Sequence, residues 1–312
     1  MLDAVGVERM NIQNIYEELS KWIPKSQLFL NEPMKKHTSF KIGGPADLLV
    51  VPSSGEQIKC TLQICRDAGV PVFTMGNGSN LLVKDKGIRG VVLKICENFS
   101  QLWMDGTLIR AQAGVLLSAL SRAALDAHLA GLEFASGIPG TLGGAIFMNA
   151  GAYGGEMKDV TEWVWAIDME GHDYRLSKEE LKFGYRSSVI QEKGLIVLEA
   201  GIRLTPGDYE KSKALIADLT KRRQEKQPLQ YPSAGSTFKR PPGYYAGKLI
   251  QDAGLKGARI GDAQVSELHS GFIINLGNAT AQDVLDLIKL IQERVKEKFG
   301  VDMQPEVRIV GE

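Results

Sequence analysis

Hydrophobic and polar positions along the chain alternate with both helical and strand-like periods, and they predict a mixed α and β protein. Apolar residues at helical spacing predict an amphipathic helix over residues 11–22 and a long helix over 281–298. Short apolar runs predict strands, and two of them flank a helix, so residues 46–76 are predicted to form a β-α-β unit. The predicted helices cover residues 11–22, 52–68, 115–129, 209–226, 246–253 and 281–298, and the predicted strands cover 46–51, 70–75, 81–83, 90–95, 108–111, 160–169, 195–204, 272–275 and 307–310.

Length and composition indicate a globular protein of two or three domains. The chain has 312 residues, of which 44% are hydrophobic and 24% are charged, as is typical of a chain that folds around real cores. Its 37 basic and 37 acidic residues give a formal net charge of zero, which argues against a nucleic-acid partner. The proline-containing stretch 230–243 predicts a domain boundary or a functional loop.

The sequence also predicts a cytoplasmic location without membrane attachment. No apolar run approaches the ~20 residues of a membrane span. Met1–Met10 carries acids and lacks the apolar segment of a secretory signal. Cys60, Cys65 and Cys96 lack the spacing of paired redox or metal cysteines, so we expect reduced thiols.

A glycine-rich segment follows the predicted strand over residues 70–75. Gly76-Asn77-Gly78-Ser79-Asn80 combines two glycines with small polar residues. Glycine lets the main chain adopt positive φ and lets another group approach closely. Consecutive N–H groups in such a loop can form a nest that binds a diphosphate. An ordinary turn between strands would have the same composition, so this pentapeptide alone leaves both readings open.

A second glycine-rich segment changes the balance. Residues 136–145 read Ser-Gly-Ile-Pro-Gly-Thr-Leu-Gly-Gly-Ala, again with few large side chains. Two segments that expose main-chain amides favour a large anionic ligand, such as a dinucleotide.

The motifs of several common enzyme classes are absent from the sequence. The four histidines are scattered and no cysteine is placed with them at zinc spacing, so no metal site is expected. Neither a Gly-x-Ser-x-Gly elbow nor a phosphate-binding Gly-x4-Gly-Lys-Ser/Thr loop occurs. Gly76-x-Gly78 lacks the third glycine of the dinucleotide fingerprint and precedes a strand, so a dinucleotide would be bound by a different fold.

Three polar segments could contribute chemistry. Gly184–Ser188 places an arginine between Tyr and Ser, although a surface turn would look the same. Ser233–Pro241 combines small residues and hydroxyls with two cations, which suits a phosphate or carboxylate pocket or a solvated loop. Pro305–Arg308 places a carboxylate at the start of the last strand, where it is usually solvent-facing.

In this order, the motifs resemble those of the UDP-N-acetylenolpyruvoylglucosamine reductases, the MurB family of bacterial cell-wall precursor synthesis. Each motif is weak singly, but seven in order over nearly the whole chain are specific. They are Thr38-Ser39-Phe40-Lys41-Ile42-Gly43-Gly44-Pro45-Ala46, Gly76-Asn77-Gly78-Ser79-Asn80-Leu81-Leu82, Ile138-Pro139-Gly140-Thr141-x-Gly143-Gly144, Tyr185-Arg186-x-Ser188, Gly235-Ser236-x-Phe238-Lys239, Gly254-Leu255-Lys256-Gly257 and Pro305-Glu306-Val307-Arg308.

The resemblance implies an α+β fold of the vanillyl-alcohol-oxidase or PCMH type. In such a fold, two α+β subdomains bind FAD, and a C-terminal α+β domain binds the substrate. We therefore expect FAD-binding subdomain 1 over residues 1–100, FAD-binding subdomain 2 over 101–226, and the substrate-binding domain over 227–312, with the last strand returning to the active site.

The resemblance also implies a reaction. NADPH reduces the flavin, and the flavin reduces the enolpyruvyl ether of a UDP-sugar to a lactyl ether, giving UDP-N-acetylmuramate. Arg186 is expected to bind the carboxylate, where negative charge grows as the hydride arrives. Ser236 is expected to protonate the α-carbon, and Glu306 to stabilise the enol form. If Glu306 donates a hydrogen bond, it must stay protonated through a raised pKa.

The resemblance further assigns cofactor and substrate contacts. Non-covalent FAD is expected, because His37 lies in no motif for covalent attachment. The chain has Arg240 where the family often has Asn, which puts an Asn contact to UDP in doubt. A monomer or weak oligomer is expected.

The implied FAD-binding residues are Gly76, Asn77, Gly78, Ser79, Asn80, Leu81, Ser136, Gly137, Ile138, Gly140, Thr141, Gly143 and Gly144, and the implied substrate contacts are Tyr185, Lys226 and Lys239.

Other functions remain open at this point. An FAD oxidase of the same fold would use dioxygen and would not need Arg186, Ser236 and Glu306 together. A non-catalytic flavin-binding regulator would tolerate loss of the serine or the glutamate. A purely structural protein is disfavoured, because two glycine-rich loops cost backbone entropy and add little packing.

Overall fold

The structure is a computed structural model that describes the backbone of residues 4–312 and the side chains of residues 12–312. The prediction that Met1–Met10 is not a secretory signal falls on residues outside those described with side chains. The helices are α1 (Ala4–Leu19), α2 (Gly55–Asp67), α3 (Leu117–Asp126), α4 (Leu142–Phe147), α5 (Met157–Val160), α6 (Val189–Glu192), α7 (Tyr209–Lys226), α8 (Ala246–Asp252) and α9 (Ala281–Phe299).

The strands are short, and most of them pair in antiparallel fashion. They are β1 (Leu28–Pro33), β2 (Pro45–Val50), β3 (Val72–Met75), β4 (Leu81–Val83), β5 (Ile88–Lys94), β6 (Leu102–Asp105), β7 (Leu108–Gln112), β8 (Leu129–Ala130), β9 (Gly151–Ala152), β10 (Gly155–Glu156), β11 (Thr161–Ile167), β12 (Asp173–Ser177), β13 (Ile196–Arg203), β14 (Thr205–Pro206), β15 (Ser233–Ser236), β16 (Arg259–Ile260), β17 (Ala263–Val265), β18 (Phe272–Asn275) and β19 (Arg308–Val310).

The chain divides into two compact units, each assembled from segments that are separated in sequence. The expected division into two FAD-binding subdomains and a C-terminal domain follows continuous ranges and stays a prediction. Unit 1 comprises Met1–Leu30, Leu48–Asn77 and Gly90–Arg222, and unit 2 comprises Asn31–Asp47, Gly78–Arg89 and Arg223–Glu312.

The largest sheet of unit 1 has five strands in the order β12-β11-β13-β7-β6, all antiparallel. Its central strand β13 is buried from Ile196 to Ile202, so the side chains on both faces of this strand are covered. Val164 of β11 pairs with Ala200 of β13, and both side chains are fully buried. Of the candidate site segments of unit 1, the one around Arg186 follows β12 of this sheet, between β12 and α6.

A second sheet has the order β1-β2-β5-β3, and its pair β3-β5 is parallel. The predicted β-α-β unit over residues 46–76 has its two strands in this sheet, but β5 lies between them. The intervening helix α2 begins where Ser54 accepts a hydrogen bond from the N–H of Gln57, as the sequence predicts. Gly69 follows the helix with φ of 67°, a conformation that suits glycine at a helix end.

Unit 2 has its own sheet, β15-β18-β17-β16, with α9 contributing to its core. A capping box of Thr280 and Asp283 starts α9, and Gly300 with φ of 69° ends it. A separate parallel pair joins β19 to β4. The core of unit 2 includes the inward stripe expected on α9: Val284, Leu287, Ile288, Ile291 and Val295, packed with Phe40, Ile42, Leu82, Phe238, Leu249 and Ile250.

Local sequence signals place some elements well and miss others. The helix over 209–226 and the strand over 272–275 have the bounds that the sequence predicts. The stretch 230–243, expected as a boundary or loop, contains strand β15, and the second glycine-rich segment runs into helix α4. The sequence did not predict β15 or α4, because the small residues in these two segments give no apolar periodicity. In the part of the chain that the structure describes, no helix is both long and apolar enough to span a bilayer.

Candidate active site

The residues singled out from the sequence lie in both units, so each unit is described by itself. Unit 1 contains Gly76, Asn77, Ser136, Gly137, Ile138, Gly140, Thr141, Gly143, Gly144, Tyr185 and Arg186, and unit 2 contains Gly78, Ser79, Asn80, Leu81, Lys226, Ser236, Lys239 and Glu306.

In unit 1, the two glycine-rich segments meet. A Cβ added at Gly76 would lie 2.3 Å from Oγ1 of Thr141, so only glycine fits at this position without a shift. The side-chain amide of Asn77 also donates a hydrogen bond of 3.5 Å to the carbonyl of Pro139. The sequence suggested that both segments bind one ligand, and the fold does bring them together.

The contact leaves polar groups that could bind a ligand. Thr141 is 1% exposed, and its Oγ1 has no hydrogen-bond partner among the described residues. A buried hydroxyl without a partner is unfavourable unless a ligand or water satisfies it. Within the described chain, the N–H groups of Gly76, Asn77, Gly137 and Gly140 donate to no backbone carbonyl. These donors fit a diphosphate-containing ligand such as FAD.

Other amides of the second segment are already used within the protein. The N–H of Ile138 donates to Ala135, and that of Gly143 donates to Ala113 at 2.8 Å. Gly143 also packs against Ala113, since a Cβ there would lie 3.0 Å from the alanine Cβ. These two residues therefore shape the segment through protein contacts, and their N–H groups are not available to FAD.

Arg186 lies in a tight turn of unit 1. Gly184 and Ser187 exchange backbone hydrogen bonds of 3.0 and 3.3 Å, so Tyr185 and Arg186 form a two-residue loop. Arg186 has φ of 55°, a left-handed conformation that costs a non-glycine residue about 1–2 kcal/mol. A Cβ at Gly184 would lie 2.7 Å from Oγ of Ser187, which explains the glycine at the start of the turn.

The guanidinium of Arg186 is half-buried beside polar groups of the β9-β10 hairpin. Its Nη2 lies 3.4 Å from the carbonyl oxygen of Gly151, and its Cζ lies 5.2 Å from the centre of the exposed Tyr185 ring. Lys158, hydrogen-bonded to Glu156, holds the pKa of that carboxyl below its usual range, and the charge of Arg186 adds to the effect. The turn thus presents a permanent cation next to an ionised carboxylate.

The sequence did not single out Asn149 and Glu156, which both contact this neighbourhood. The amide of Asn149 donates to Glu156 and to the carbonyl of Gly184. Asn149 lies just after the second glycine-rich segment, in Asn-Ala-Gly, and this position was the only signal in the sequence.

In unit 2, a β-bulge sets the direction of Ser236. Ser233 pairs with Ile274 and Ser236 pairs with Phe272, so β15 has one more residue than β18 between the two pairs. Gly235 lies at the bulge with φ of 76°. Bulges re-aim the side chain that follows them, and Ser236 is exposed.

The segment that contains Glu306 pairs with the residues that follow this strand. The N–H of Glu306 donates a hydrogen bond of 2.8 Å to the carbonyl of Thr237, the residue after Ser236. The N–H of Lys239 donates to Gln304 at 2.9 Å, which continues the pairing. Ser236 and Glu306 are 70 positions apart in the chain, yet both adjoin Thr237. Unit 2 therefore brings the main chains of two of the three predicted catalytic residues next to each other.

The first glycine-rich loop also contacts the Glu306 segment within unit 2. The side-chain amide of Asn80 donates to the carbonyl of Glu306 at 3.1 Å. The N–H of Ser39 donates to Gly78 at 3.3 Å, and its hydroxyl donates to Ser233 at 2.7 Å. The motif around Ser39 thus ties the glycine-rich loop to the strand that carries Ser236. Gly78 is buried, and its N–H donates to no backbone carbonyl of the described residues.

The two predicted lysine contacts lie in different parts of unit 2. Lys226 is the exposed last residue of α7, whereas Lys239 is half-buried beside Gln304. No hydrogen bond or ion pair joins Lys226 to Ser236 or Lys239 in the described residues. Arg240 lies 4.0 Å from the ring centre of Tyr245, and its Nε donates to the carbonyl of Tyr244 at 3.1 Å.

Comparison with known proteins identifies related domains in both parts of the chain. A family model described as UDP-N-acetylenolpyruvoylglucosamine reductase, C-terminal domain, matches residues 227–310. A second model, described as FAD binding domain, matches residues 46–177.

Curated relatives match nearly the whole chain. The UDP-N-acetylenolpyruvoylglucosamine reductase of Alkaliphilus metalliredigens is 58% identical over 97% of this chain and 100% of its own length. The protein of the same name from Caldanaerobacter subterraneus subsp. tengcongensis is 58% identical over 96% of this chain and 98% of its own.

Solved structures agree with the expected fold. The UDP-N-acetylenolpyruvylglucosamine reductase of Thermus caldophilus matches with a TM-score of 0.78 and 38% identity, over 91% of this chain and 98% of that chain. A p-cresol methylhydroxylase structure matches with a TM-score of 0.50 at 13% identity, over 95% of this chain and 66% of that chain, which is a likeness of fold alone. The expected α+β, vanillyl-alcohol-oxidase or PCMH-type fold is confirmed.

Proposed function

Since the chain belongs to the family of UDP-N-acetylenolpyruvoylglucosamine reductases, we propose that Arg186, Ser236 and Glu306 act on the enolpyruvyl group of its UDP-sugar substrate. Family membership makes the chain an FAD-containing oxidoreductase of peptidoglycan precursor synthesis. The product is UDP-N-acetylmuramate, and NADPH is the proposed reductant. The observation that carries the proposal is the pairing of Glu306 with Thr237, directly beside Ser236.

Some of the proposed FAD contacts follow from donors that unit 1 leaves available. The buried hydroxyl of Thr141 and the N–H groups of Gly76, Asn77 and Gly140 fit a diphosphate. When bound non-covalently, FAD supplies the hydride that reaches the β-carbon of the substrate. The full proposed set is Gly76, Asn77, Gly78, Ser79, Asn80, Leu81, Ser136, Gly137, Ile138, Gly140, Thr141, Gly143 and Gly144.

Arg186 is proposed to bind the substrate carboxylate. Hydride arrival at the β-carbon places negative charge on the α-carbon, and this charge spreads into the carboxylate as an enolate. A guanidinium stays charged at any physiological pH and offers two parallel N–H donors to a carboxylate. Its left-handed backbone is a strained conformation of the kind that occurs at functional sites.

Ser236 is proposed to protonate the α-carbon, which completes the addition of a hydride and a proton across the double bond. The bulge at Gly235 exposes the hydroxyl, so solvent can return a proton to it after the step. A serine hydroxyl is a weak acid, and nearby cations make the loss of its proton less unfavourable. Glu306 is proposed to stabilise the enol form. Tyr185, Lys226 and Lys239 are proposed to contact the rest of the substrate.

The test separates the two half-reactions. Purified protein, loaded with FAD, is reduced anaerobically with NADPH, and the enolpyruvyl UDP-sugar is then added while flavin absorbance is followed. We expect rapid reoxidation by the sugar nucleotide. S236A should retain flavin reduction and lose most of the reoxidation rate. T280A, which removes an exposed hydroxyl at the start of α9 in the same unit, serves as the control and should retain both.

Other outcomes point to other functions. Reoxidation by dioxygen alone would indicate an oxidase, and flavin binding without turnover would indicate a regulator. Equal loss in both half-reactions of S236A would contradict its role as proton donor. The cytoplasmic location and the state of a monomer or weak oligomer stay predictions.

A further inference from the structure

Asn149 connects two segments of unit 1 that approach Arg186. Its side-chain amide donates hydrogen bonds of 2.9 Å to Oε2 of Glu156 and 2.8 Å to the carbonyl of Gly184. Its side-chain oxygen accepts a hydrogen bond of 2.9 Å from the N–H of Lys158. The residue is 1% exposed, so these bonds form away from solvent. One buried amide therefore links the β9-β10 hairpin to the first residue of the Arg186 turn.

Strained backbone is concentrated in the same two segments. Asn149, Tyr153 and Arg186 have φ of 43°, 53° and 55°. They are three of the seven non-glycine residues with positive φ in the described chain. Such conformations persist where the surrounding structure over-determines them, and they cluster at functional sites. Asparagine tolerates the left-handed region better than most residues, and arginine does not share this tolerance.

The Arg186 turn is held from both sides by hydrogen bonds to earlier segments. Ahead of Arg186, the carbonyl of Gly184 accepts from Asn149. After it, the hydroxyl of Ser188 donates to the carbonyl of Phe147 at 2.9 Å. The guanidinium itself reaches Gly151, two residues after Asn149. The position of the charge thus depends on how the turn is attached to residues 147–151.

We infer that Asn149 is a positioning residue for Arg186: its bond to the Gly184 carbonyl holds the left-handed turn that places the guanidinium for the substrate carboxylate. This inference rests on the proposed function of Arg186. Asn149 acts through the turn and contacts no reacting atom. Its loss leaves the Gly184 carbonyl without this donor, so the turn can relax toward a right-handed backbone and displace the guanidinium.

The experiment measures the two half-reactions of the FAD-loaded variant N149A. Flavin reduction by NADPH should stay within about twofold of the wild type. Reoxidation by the enolpyruvyl UDP-sugar should slow by about 10- to 100-fold, because a catalytic group displaced by about 1 Å loses rate on this scale. N149D is the second variant, since it keeps the shape and the acceptor for Lys158 but removes the N–H donors and adds a carboxylate beside Glu156. It should slow reoxidation at least as much as N149A does.

A double-mutant comparison tests whether Asn149 acts through Arg186. R186A alone should slow reoxidation severely, and N149A added to R186A should slow it little further, because coupled residues are not additive. Full additivity would overturn the inference. So would wild-type reoxidation in N149A, or failure of both Asn149 variants to bind FAD. A fast R186A would instead overturn the proposed function and the inference together.

The matched control is N98A. Asn98 also lies in unit 1 and donates its side-chain amide to a backbone carbonyl, that of Val51, at 3.3 Å. Its removal should leave both half-reactions unchanged. A slowed reoxidation in N98A would show that loss of any such bond disturbs the unit, which would also overturn the inference.

Discussion

The side-chain amide of Asn80 donates a hydrogen bond of 3.1 Å to the main-chain carbonyl of Glu306, across 226 positions of sequence. In return, the N–H of Arg308 donates to the carbonyl of Asn80 at 2.9 Å. The two bonds attach the end of the chain to the first glycine-rich loop within unit 2. The parallel pair of β4 and β19 continues directly from them.

Replacement of Asn80 should therefore disturb the Glu306 segment. N80A removes one hydrogen bond, so we expect a loss of about 1 kcal/mol in the free energy of unfolding. We also expect slower reoxidation by the sugar nucleotide, since Glu306 loses its support. Thermal unfolding and the half-reactions provide the measurement. A variant with wild-type stability and rates would show that the backbone pair alone fixes this segment.

Replacement of Gly76 should disrupt the contact between the glycine-rich segments. In G76A, the new Cβ would meet Oγ1 of Thr141 at 2.3 Å, so we expect weaker FAD binding and a stability loss of about 1–3 kcal/mol. The double variant G76A/T141A removes the clashing oxygen and should regain stability. G55A is the matched control, because no atom lies within 4 Å of its added Cβ. Flavin content and thermal unfolding distinguish them.

Replacement of Gly235 should misdirect Ser236. G235A meets no atom within 4 Å, so its cost is the left-handed backbone alone, about 1–2 kcal/mol. G300A imposes the same kind of strain at the end of α9 and should lose similar stability. Only G235A should also slow reoxidation of the flavin by the sugar nucleotide. Equal rates in the two variants would contradict the role of the bulge.

The ion pair of Glu156 and Lys158 should make stability depend on acid pH. Lys158 lowers the folded-state pKa of Glu156 below 4.5, so the pair contributes stability above that pH and loses it as pH falls through the lowered pKa. K158M removes the principal cause, so its free energy of unfolding should fall less steeply below about pH 4.5. Parallel curves for wild type and K158M would contradict this assignment.

The sequence by itself determined the elements that depend on neighbouring residues. Helix α9 follows from its apolar stripe, its Thr280 cap and Gly300, which all act within a few turns. The fold class and the family follow from the order of the seven motifs, because each motif consists of a few neighbouring residues. The same motifs contain Gly76, Thr141, Ser236 and Glu306.

Only the tertiary structure decided which of these residues meet. The contacts of Gly76 with Thr141 and of Asn80 with Glu306 join residues 65 and 226 positions apart. The hydrogen bonds of Asn149 and the bulge at Gly235 likewise could not be predicted from the sequence, because a hydrogen-bond partner is set by the path of the chain. Local propensity acts over a few residues, whereas a buried polar group takes whichever partner packing places within about 3 Å.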